Sequence, residues 1–224
     1  MLNFESILKD LKSKNIFIDK YSEVKGSFNS KTFTLEAKNG EKFFLKNFIN
    51  DPLNKHNRLK SEVCFTKYVT QNKKIKVPKL IEYSENSNWI LYQWIEGKKI
   101  TKINREHVEN LIDFLININK IEDIRKDIDM PYASEASFTL NEHKSLVISK
   151  ANQTKNIINN IIHIKPEYKL SIKKELDEKI LFIKDLFTKE EFNNKDLINY
   201  RLNNNQRCIS PSDVGFHNII ESNG

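Results

Sequence analysis

Asp213, His217 and Asn218 lie together in "ISPSDVGFHNII", residues 209 to 220, a stretch that is otherwise apolar and turn-forming. Asp213 and Asn218 are five positions apart with Gly215 between them. A carboxylate in such a loop can take the proton of an attacking hydroxyl, and an Asn carbonyl oxygen is a hard ligand suited to Mg²⁺. The same residue types also cap and close ordinary turns, so this segment alone leaves both readings open. No other His, Cys or Asp stands at metal-ligand spacing to His217, which reads as structural or as orienting the loop. Ser210 and Ser212 lack the G-x-S-x-G setting of a nucleophile elbow, so a hydrolase triad has no support. His56, His107, His143 and His163 sit in polar or helical contexts and carry no signal.

Upstream, Lys46 stands in the middle of "FFLKNF", where strand alternation puts it on one face with Phe44 and Phe48. A Lys so placed either snorkels to water at a sheet rim or is held inward by an anion. Glu62, in the segment that follows, is its natural counter-ion. "GSFNSKT" lacks the Gly-Lys pairing of a phosphate-binding P-loop, because residue 30 is Ser. A single Gly26 in a polar turn can still bring backbone N–H groups near phosphates, although most such turns only turn.

The elements that must position these residues follow from periodicity. Residues 2 to 14 read as a short amphipathic helix with Leu2, Ile7, Leu8 and Leu11 as its contacts. "SKTFTLEAKNGEKFFLKNF" reads as a β-hairpin closed by a type I′ turn at Asn39-Gly40. "RLKSEVCFTKYVTQ" reads as a helix with Leu59, Val63, Phe65 and Val69 on a broad buried face. Two strand-like runs then flank the turn "SENSN" and end near Gly97, which marks a boundary. Beyond it the pattern turns helical, over roughly residues 104 to 121, 135 to 164 and 168 to 188, with Val108, Leu111, Ile112, Leu115 and Ile118 in strict periodicity. No internal repeat or long low-complexity linker is present.

Composition bounds the function. The chain has 224 residues, 38% of them hydrophobic, and a net charge of +7. That charge is nearly all Lys, with Arg only at 58, 105, 125, 201 and 207, and it is interleaved with Asn, Asp and Glu instead of gathered into a block. A solvated surface accounts for it better than a nucleic-acid footprint, and it suits a binder of anionic small molecules such as nucleotides. Cys64 and Cys208 are isolated, which points to a reducing compartment without a disulfide framework. The N-terminus has no signal-peptide core and no apolar run spans a bilayer, so a cytoplasmic location is expected.

Taken in order, a Gly turn, a Lys strand, a Glu helix, a strand ending at Gly, a helical region and an Asp-x4-Asn loop are the parts of a protein kinase. The chain resembles the aminoglycoside phosphotransferase and choline kinase branch of kinase-like enzymes. "GSFNSKTFTL" is similar to that family's nucleotide loop, "FFLKNF" to its Lys strand, "ILYQWIEG" to its hinge and "SPSDVGFHNII" to its H-G-D-x-x-x-x-N catalytic loop. It is most similar to a bacterial subgroup carrying S-P-S-D-x-G-x-H-N.

The resemblance implies an α+β, two-lobed protein-kinase-like fold. Residues 1 to 96 would form the antiparallel-sheet ATP lobe, and residues 97 to 224 a mainly helical lobe cut short. It implies Asp213 as catalytic base, Asn218 as a Mg²⁺ ligand, Lys46 on the ATP phosphates and Glu62 as its partner. Gly26, Ser27, Asn29 and Ser30 would line the nucleotide, and the backbone of Gln93, Trp94 and Ile95 would bind adenine. Ser134 and Glu135 would touch the acceptor or merely cap a helix. The implied activity is ATP- and Mg²⁺-dependent phosphoryl transfer to a hydroxyl of a sugar, amino alcohol or aminoglycoside. Two departures stand out. Pro211 replaces the family's His, and a second metal-binding Asp, expected roughly 15 to 20 residues after Asn218 in the kinase layout, falls beyond Gly224. A catalytically incomplete nucleotide-binding or interaction module is therefore the competing expectation.

Overall fold

β-Branched and aromatic residues in alternating runs form one antiparallel sheet in a computed structural model of the protein. It describes residues 4–24, 29–49, 56–71, 75–120, 130–161, 165–189, 194–203, 206–211 and 214–222. The strands are β1 (Ile18–Val24), β2 (Ser30–Ala37), β3 (Lys42–Phe48), β4 (Leu80–Ser84) and β5 (Trp89–Gln93), in the order β1-β2-β3-β5-β4. Helix α1 (Phe4–Ser13) precedes the sheet, and α2 (Arg58–Val69) lies between β3 and β4. The short β6 (Lys98–Lys99) and α3 (Arg105–Asn119) follow it. Residues Met1–Ala133 with Ile209–Gly224 make one compact unit and Ser134–Cys208 another. The protein is thus α+β.

The two faces of the sheet are both covered. Phe33, Leu35, Phe43, Leu45, Trp89 and Leu91 alternate onto one face and pack with Ile7 and Leu11 of α1. Phe48, Ile90 and Tyr92 point to the other face and meet Leu59 and Val63 of α2. A strand buried on both faces reads as a continuous apolar run, and "WILY" at residues 89 to 92 is such a run, buried throughout. Helix α2 is buried over a wider arc than one stripe. Its C-terminal Tyr68 and Val69 join Ile75 and Ile118, against which Phe65 is only partly buried.

The β2–β3 connection is a hairpin, but its turn is not type I′. Only Gly40 has positive φ, at +84°, and Asn39 is not among the positive-φ residues. The Gly40 N–H donates to the Ala37 carbonyl and the Ala37 N–H to the Glu41 carbonyl, which makes a three-residue loop with glycine in the left-handed position. The Asn39 side chain accepts from the Glu41 N–H at 3.1 Å and holds the turn from outside.

The first helix of the second unit starts later than the periodicity predicts. Helix α4 runs from Leu140 to Asn160, because Thr139 caps it by accepting the Glu142 N–H. Helix α5 spans Pro166–Leu186, with Pro166 in the first turn where its missing N–H costs nothing. Lys155 of α4 pairs with Asp177 of α5. The short α6 (Lys195–Asn199) follows. In α3 the apolar stripe is real but largely uncovered: Ile118 is buried, whereas Val108 and Ile112 are 41% and 49% exposed. No described helix is long and apolar enough to cross a membrane.

One polar contact pins α1 to the sheet. The indole Nε1–H of fully buried Trp89 donates to Asp10 Oδ2 at 3.0 Å. Burial alone would raise the Asp10 pKa, but hydrogen bonds from Ser84, Trp89 and Ser87 outweigh it and hold the carboxyl below its ordinary value. A lowered carboxyl pKa stabilises the fold above the unfolded value and ceases to do so as pH falls through the folded one. Asp10→Ala leaves the indole donor unpaired and is expected to cost about 1–3 kcal/mol near pH 7. Urea denaturation of both proteins should show that gap narrowing as pH falls below about 4, the unfolded carboxyl's range, toward the lower pH at which the folded carboxyl is protonated.

Candidate functional site

Lys46 and Glu62 meet. In β3, Lys46 stands opposite Thr32 of β2 and Ile90 of β5, on the face shared with Phe44 and Phe48. This is the face covered by α2, so a carboxylate on the inner side of that helix can reach it. Lys46 Nζ donates to Glu62 Oε2 at 2.6 Å and to Oε1 at 2.8 Å. The side chains are only 26% and 25% exposed. Nζ also lies 5.3 Å from the centroid of the Phe48 ring, a cation–π contact that shields the charge further. An ammonium in such a place is kept by its anion, since removing either partner leaves a poorly hydrated charge.

The end of β3 is fixed independently. Asn47 Nδ2 donates to the carbonyls of Ser87 and Asn88, and Asn88 Nδ2 donates to the Phe48 carbonyl. Asn88 itself takes the left-handed conformation, φ 53°, that an Asn tolerates in a turn. The polar turn "SENSN" thus clamps the strand that carries Lys46.

Of the predicted nucleotide loop, Gly26 and Ser27 lie outside the described residues. Asn29 accepts the Ile49 N–H through its carbonyl at 3.1 Å, which extends the β2–β3 ladder. Ser30 is buried at the start of β2, opposite Phe48. At the predicted hinge, the Gln93 N–H donates to the Lys79 carbonyl and the Trp94 N–H to the Lys42 carbonyl. Those two donors belong to the sheet, whereas the N–H of Ile95, the third residue of the predicted hinge, makes no hydrogen bond to the sheet among the described residues.

The segment from Ile209 onward is held at both ends. At its entry, Asn119 behaves as a piece of backbone: Oδ1 accepts the Ile209 N–H at 2.8 Å and Nδ2 donates to the Ile209 carbonyl at 3.1 Å. The Ile209 side chain packs against the cluster of Tyr68, Val69, Ile75 and Ile118. Ser212 and Asp213 lie outside the described residues. Phe216–Asn218 make one 3₁₀ turn, with the Asn218 N–H donating to the Gly215 carbonyl. The exit strand β7 (Ile220–Glu221) pairs antiparallel with β6.

Gly97 and His107 secure that exit. A Cβ on Gly97 would lie 2.4 Å from the Glu221 carbonyl oxygen, so the residue before β6 has to be glycine for β7 to approach. His107 closes the capping box of α3 by accepting the Asn104 N–H on Nδ1. The proton must then sit on Nε2, which donates to Glu221 Oε1 at 2.7 Å. His107 carries no signal in the sequence because its partner lies 114 residues away. Asn119 is equally silent there. Gly97 is legible as a boundary but not as a close approach.

Ser134 and Glu135 lie apart from these elements in sequence and belong to the other compact unit. They form a turn ahead of α4 and do not cap it; Thr139 does. Glu135 pairs with Lys150 at 3.0 Å. Among the described residues, no group of three His, Cys, Asp or Glu side chains is placed to hold a metal ion.

No protein-family model matches the chain. No curated protein matches it in sequence. Solved structures do. The chain is similar to choline kinase from Cryptosporidium parvum, with 15% identity, a TM-score of 0.49, and coverage of 79% of this chain and 50% of that one. It is similar to macrolide 2′-phosphotransferase MphH from Brachybacterium faecium, with 11% identity, a TM-score of 0.43, and coverage of 77% and 59%. An aminoglycoside phosphotransferase from Alicyclobacillus acidocaldarius is 12% identical, with a TM-score of 0.37 and coverage of 78% and 51%. The chain therefore spans 50% to 59% of the length of these three proteins.

The two clasps on the 209–221 segment give direct tests. Asn119→Ala removes both bonds to Ile209 and should destabilise the unit by about 1–3 kcal/mol in urea denaturation. Gly97→Ala should cost a similar amount, about 1–3 kcal/mol, by overpacking against Glu221. It should also speed amide exchange at Lys99 and Ile220, whereas Gly40→Ala should leave exchange at those residues unchanged.

Proposed function

We propose that the chain is the nucleotide-binding and catalytic-loop part of an ATP-dependent small-molecule phosphotransferase. One observation carries this reading: a half-buried strand Lys held by a helix Glu, on the same sheet as a hinge strand, in the order a kinase requires. Residues 1 to 96 are the ATP lobe in this reading, and 97 to 224 belong to the helical lobe. The protein acts in the cytoplasm on a nucleotide and a small hydroxyl acceptor.

Lys46 donates to oxygens of the α- and β-phosphates, while Glu62 holds the ammonium in place. Gly26, Ser27, Asn29 and Ser30 are proposed as phosphate contacts, Asn29 standing just before β2 and Ser30 at its start. Adenine sits against the hinge, where the Ile95 N–H and the carbonyls of residues 93 to 95 are its hydrogen-bonding groups. Asp213 accepts the proton of the acceptor hydroxyl as its oxygen bonds to the γ-phosphorus. The bond from that phosphorus to the β–γ bridging oxygen breaks, and ADP leaves. Asn218 offers a carbonyl oxygen to Mg²⁺, whose chemistry when bound is to neutralise charge on the phosphates. Catalysis in such a site is mainly positioning and electrostatic stabilisation. Ser134 and Glu135 are proposed as acceptor contacts.

The test combines binding and turnover. Lys46→Ala is expected to weaken Mg·ATP binding by at least about tenfold, the loss of one charge-assisted contact. Asp213→Ala should keep nucleotide affinity and abolish ATP consumption across a panel of sugars, amino alcohols and aminoglycosides. Full turnover in Asp213→Ala would remove it as the base. ATP binding that ignores Mg²⁺, with no turnover on any acceptor, would favour a non-catalytic nucleotide-binding module.

A further inference from the structure

Glu62 has a second partner that the ion pair does not need. Tyr92, at the end of β5, is 6% exposed and its hydroxyl donates to Glu62 Oε1 at 2.7 Å. The same hydroxyl oxygen lies 3.3 Å from Thr66 Oγ1. Thr66 is 5% exposed and one helical turn beyond Glu62. Burial, and then the Glu62 charge, push the Tyr92 phenol well above its ordinary pKa, so it stays protonated. Its one proton goes to the carboxylate, and the Thr66 hydroxyl therefore donates to the Tyr92 oxygen. The hydrogen bonds run in one direction, from Thr66 to Tyr92 to Glu62, and meet the bonds from Lys46 on the same carboxylate.

The geometry explains what this adds. Lys46 has a flexible four-carbon stem, and a carboxylate bound only to it can rotate and drift with the helix. Tyr92 is a rigid ring packed among Phe48, Leu59, Val63 and Ile90, and its hydroxyl fixes one carboxylate oxygen to the sheet. Both the strand that carries Lys46 and the strand that carries Tyr92 belong to that sheet, with Phe44 opposite Tyr92 in the register. Glu62 is thereby located from two directions.

We propose that Tyr92, backed by Thr66, is a positioning residue for nucleotide binding: its hydroxyl sets the Glu62 carboxylate, and through it the place at which Lys46 Nζ meets the phosphates. The proposal rests on the nucleotide reading above. It concerns a hydroxyl, so Tyr92→Phe, which keeps the ring, is the discriminating change, and Thr66→Val is its milder counterpart.

The experiment is a mutant cycle on Mg·ATP affinity, with unfolding midpoints as a control for folding. Lys46→Ala, Glu62→Gln, Tyr92→Phe, Thr66→Val and the Tyr92→Phe/Glu62→Gln pair are compared with the wild type. Tyr92→Phe should weaken Mg·ATP by about three- to tenfold, within the range of one hydrogen bond to a charged group. In the Glu62→Gln background the same change should have less than about a twofold effect, because the two act as a unit. Thr66→Val should act in the same direction and more weakly. A nucleotide-free signature accompanies it: the ¹³Cζ resonance of Tyr92, identified by its loss in Tyr92→Phe, should move in Glu62→Gln.

The outcomes separate. If Lys46→Ala weakens binding and Tyr92→Phe does not, the positioning role is wrong and the nucleotide reading stands. An equal effect of Tyr92→Phe with and without Glu62 would reduce Tyr92 to packing. A Tyr92 resonance unmoved in Glu62→Gln would remove the bond itself. If Lys46→Ala leaves Mg·ATP affinity unchanged, both readings fall.

Discussion

The pairing of Lys46 with Glu62 is the constraint from which the rest of the sheet-bearing unit is best understood. A half-buried ammonium and carboxylate gain little by being out of water unless their geometry is good and their remaining hydrogen-bonding capacity is met. Here those conditions are met by surrounding elements and not by the pair alone. The strand that bears Lys46 is clamped at its end by Asn47 and Asn88, and Tyr92 supplies the carboxylate with a further donor. Helix α2 must then sit where Glu62 reaches the sheet, and the apolar contacts of Leu59 and Val63 with Phe48 and Ile90 put it there. Hydrophobic packing sets the distance, and the charges use it.

Sequence periodicity carries this part of the molecule well. Strand alternation has a period of two, so the face on which Lys46 lies follows from its neighbours Phe44 and Phe48 without any knowledge of the fold. The same reasoning recovers β2, β3, β4 and β5 and the helix that bears Glu62. It fails on details that depend on chain closure. Asn39-Gly40 is the strongest short hairpin signal, yet the loop has three residues and only Gly40 is left-handed, because Ala37 pairs with Glu41. Helix α4 begins five residues late because the side chain of Thr139 supplies its cap, a local signal that apolar periodicity overlooks.

What escapes the sequence is the pairing of side chains with backbone groups far along the chain. Nothing near Asn119 indicates that its amide substitutes for a strand partner to Ile209, and nothing near His107 indicates Glu221. Tyr92 reads as one more apolar position in a buried strand until its hydroxyl is seen against Glu62. The α3 stripe is the converse case. Val108, Ile112 and Leu115 are periodic as a core-facing stripe should be, but exposure is set by what lies opposite, which a single helix cannot specify.

The Lys46–Glu62 pair and the 209–221 segment are joined by one short physical route. Helix α2 carries Glu62 near its start and Tyr68 one and a half turns later. Tyr68 is buried, and its hydroxyl donates to the Ile118 carbonyl at the end of α3. The next residue, Asn119, holds Ile209 by both its backbone groups, and Ile209 packs back on the Tyr68 cluster. Moving α2 away from the sheet would therefore require breaking a buried hydroxyl–carbonyl bond as well as the ion pair, and it would disturb the seat of Ile209. The Glu that pairs with Lys46 and the segment that begins at Ile209 thus share a single packed junction. The proposed phosphotransferase would need such a junction, because a base and a phosphate-binding Lys on separate elements are useful only if their spacing is fixed.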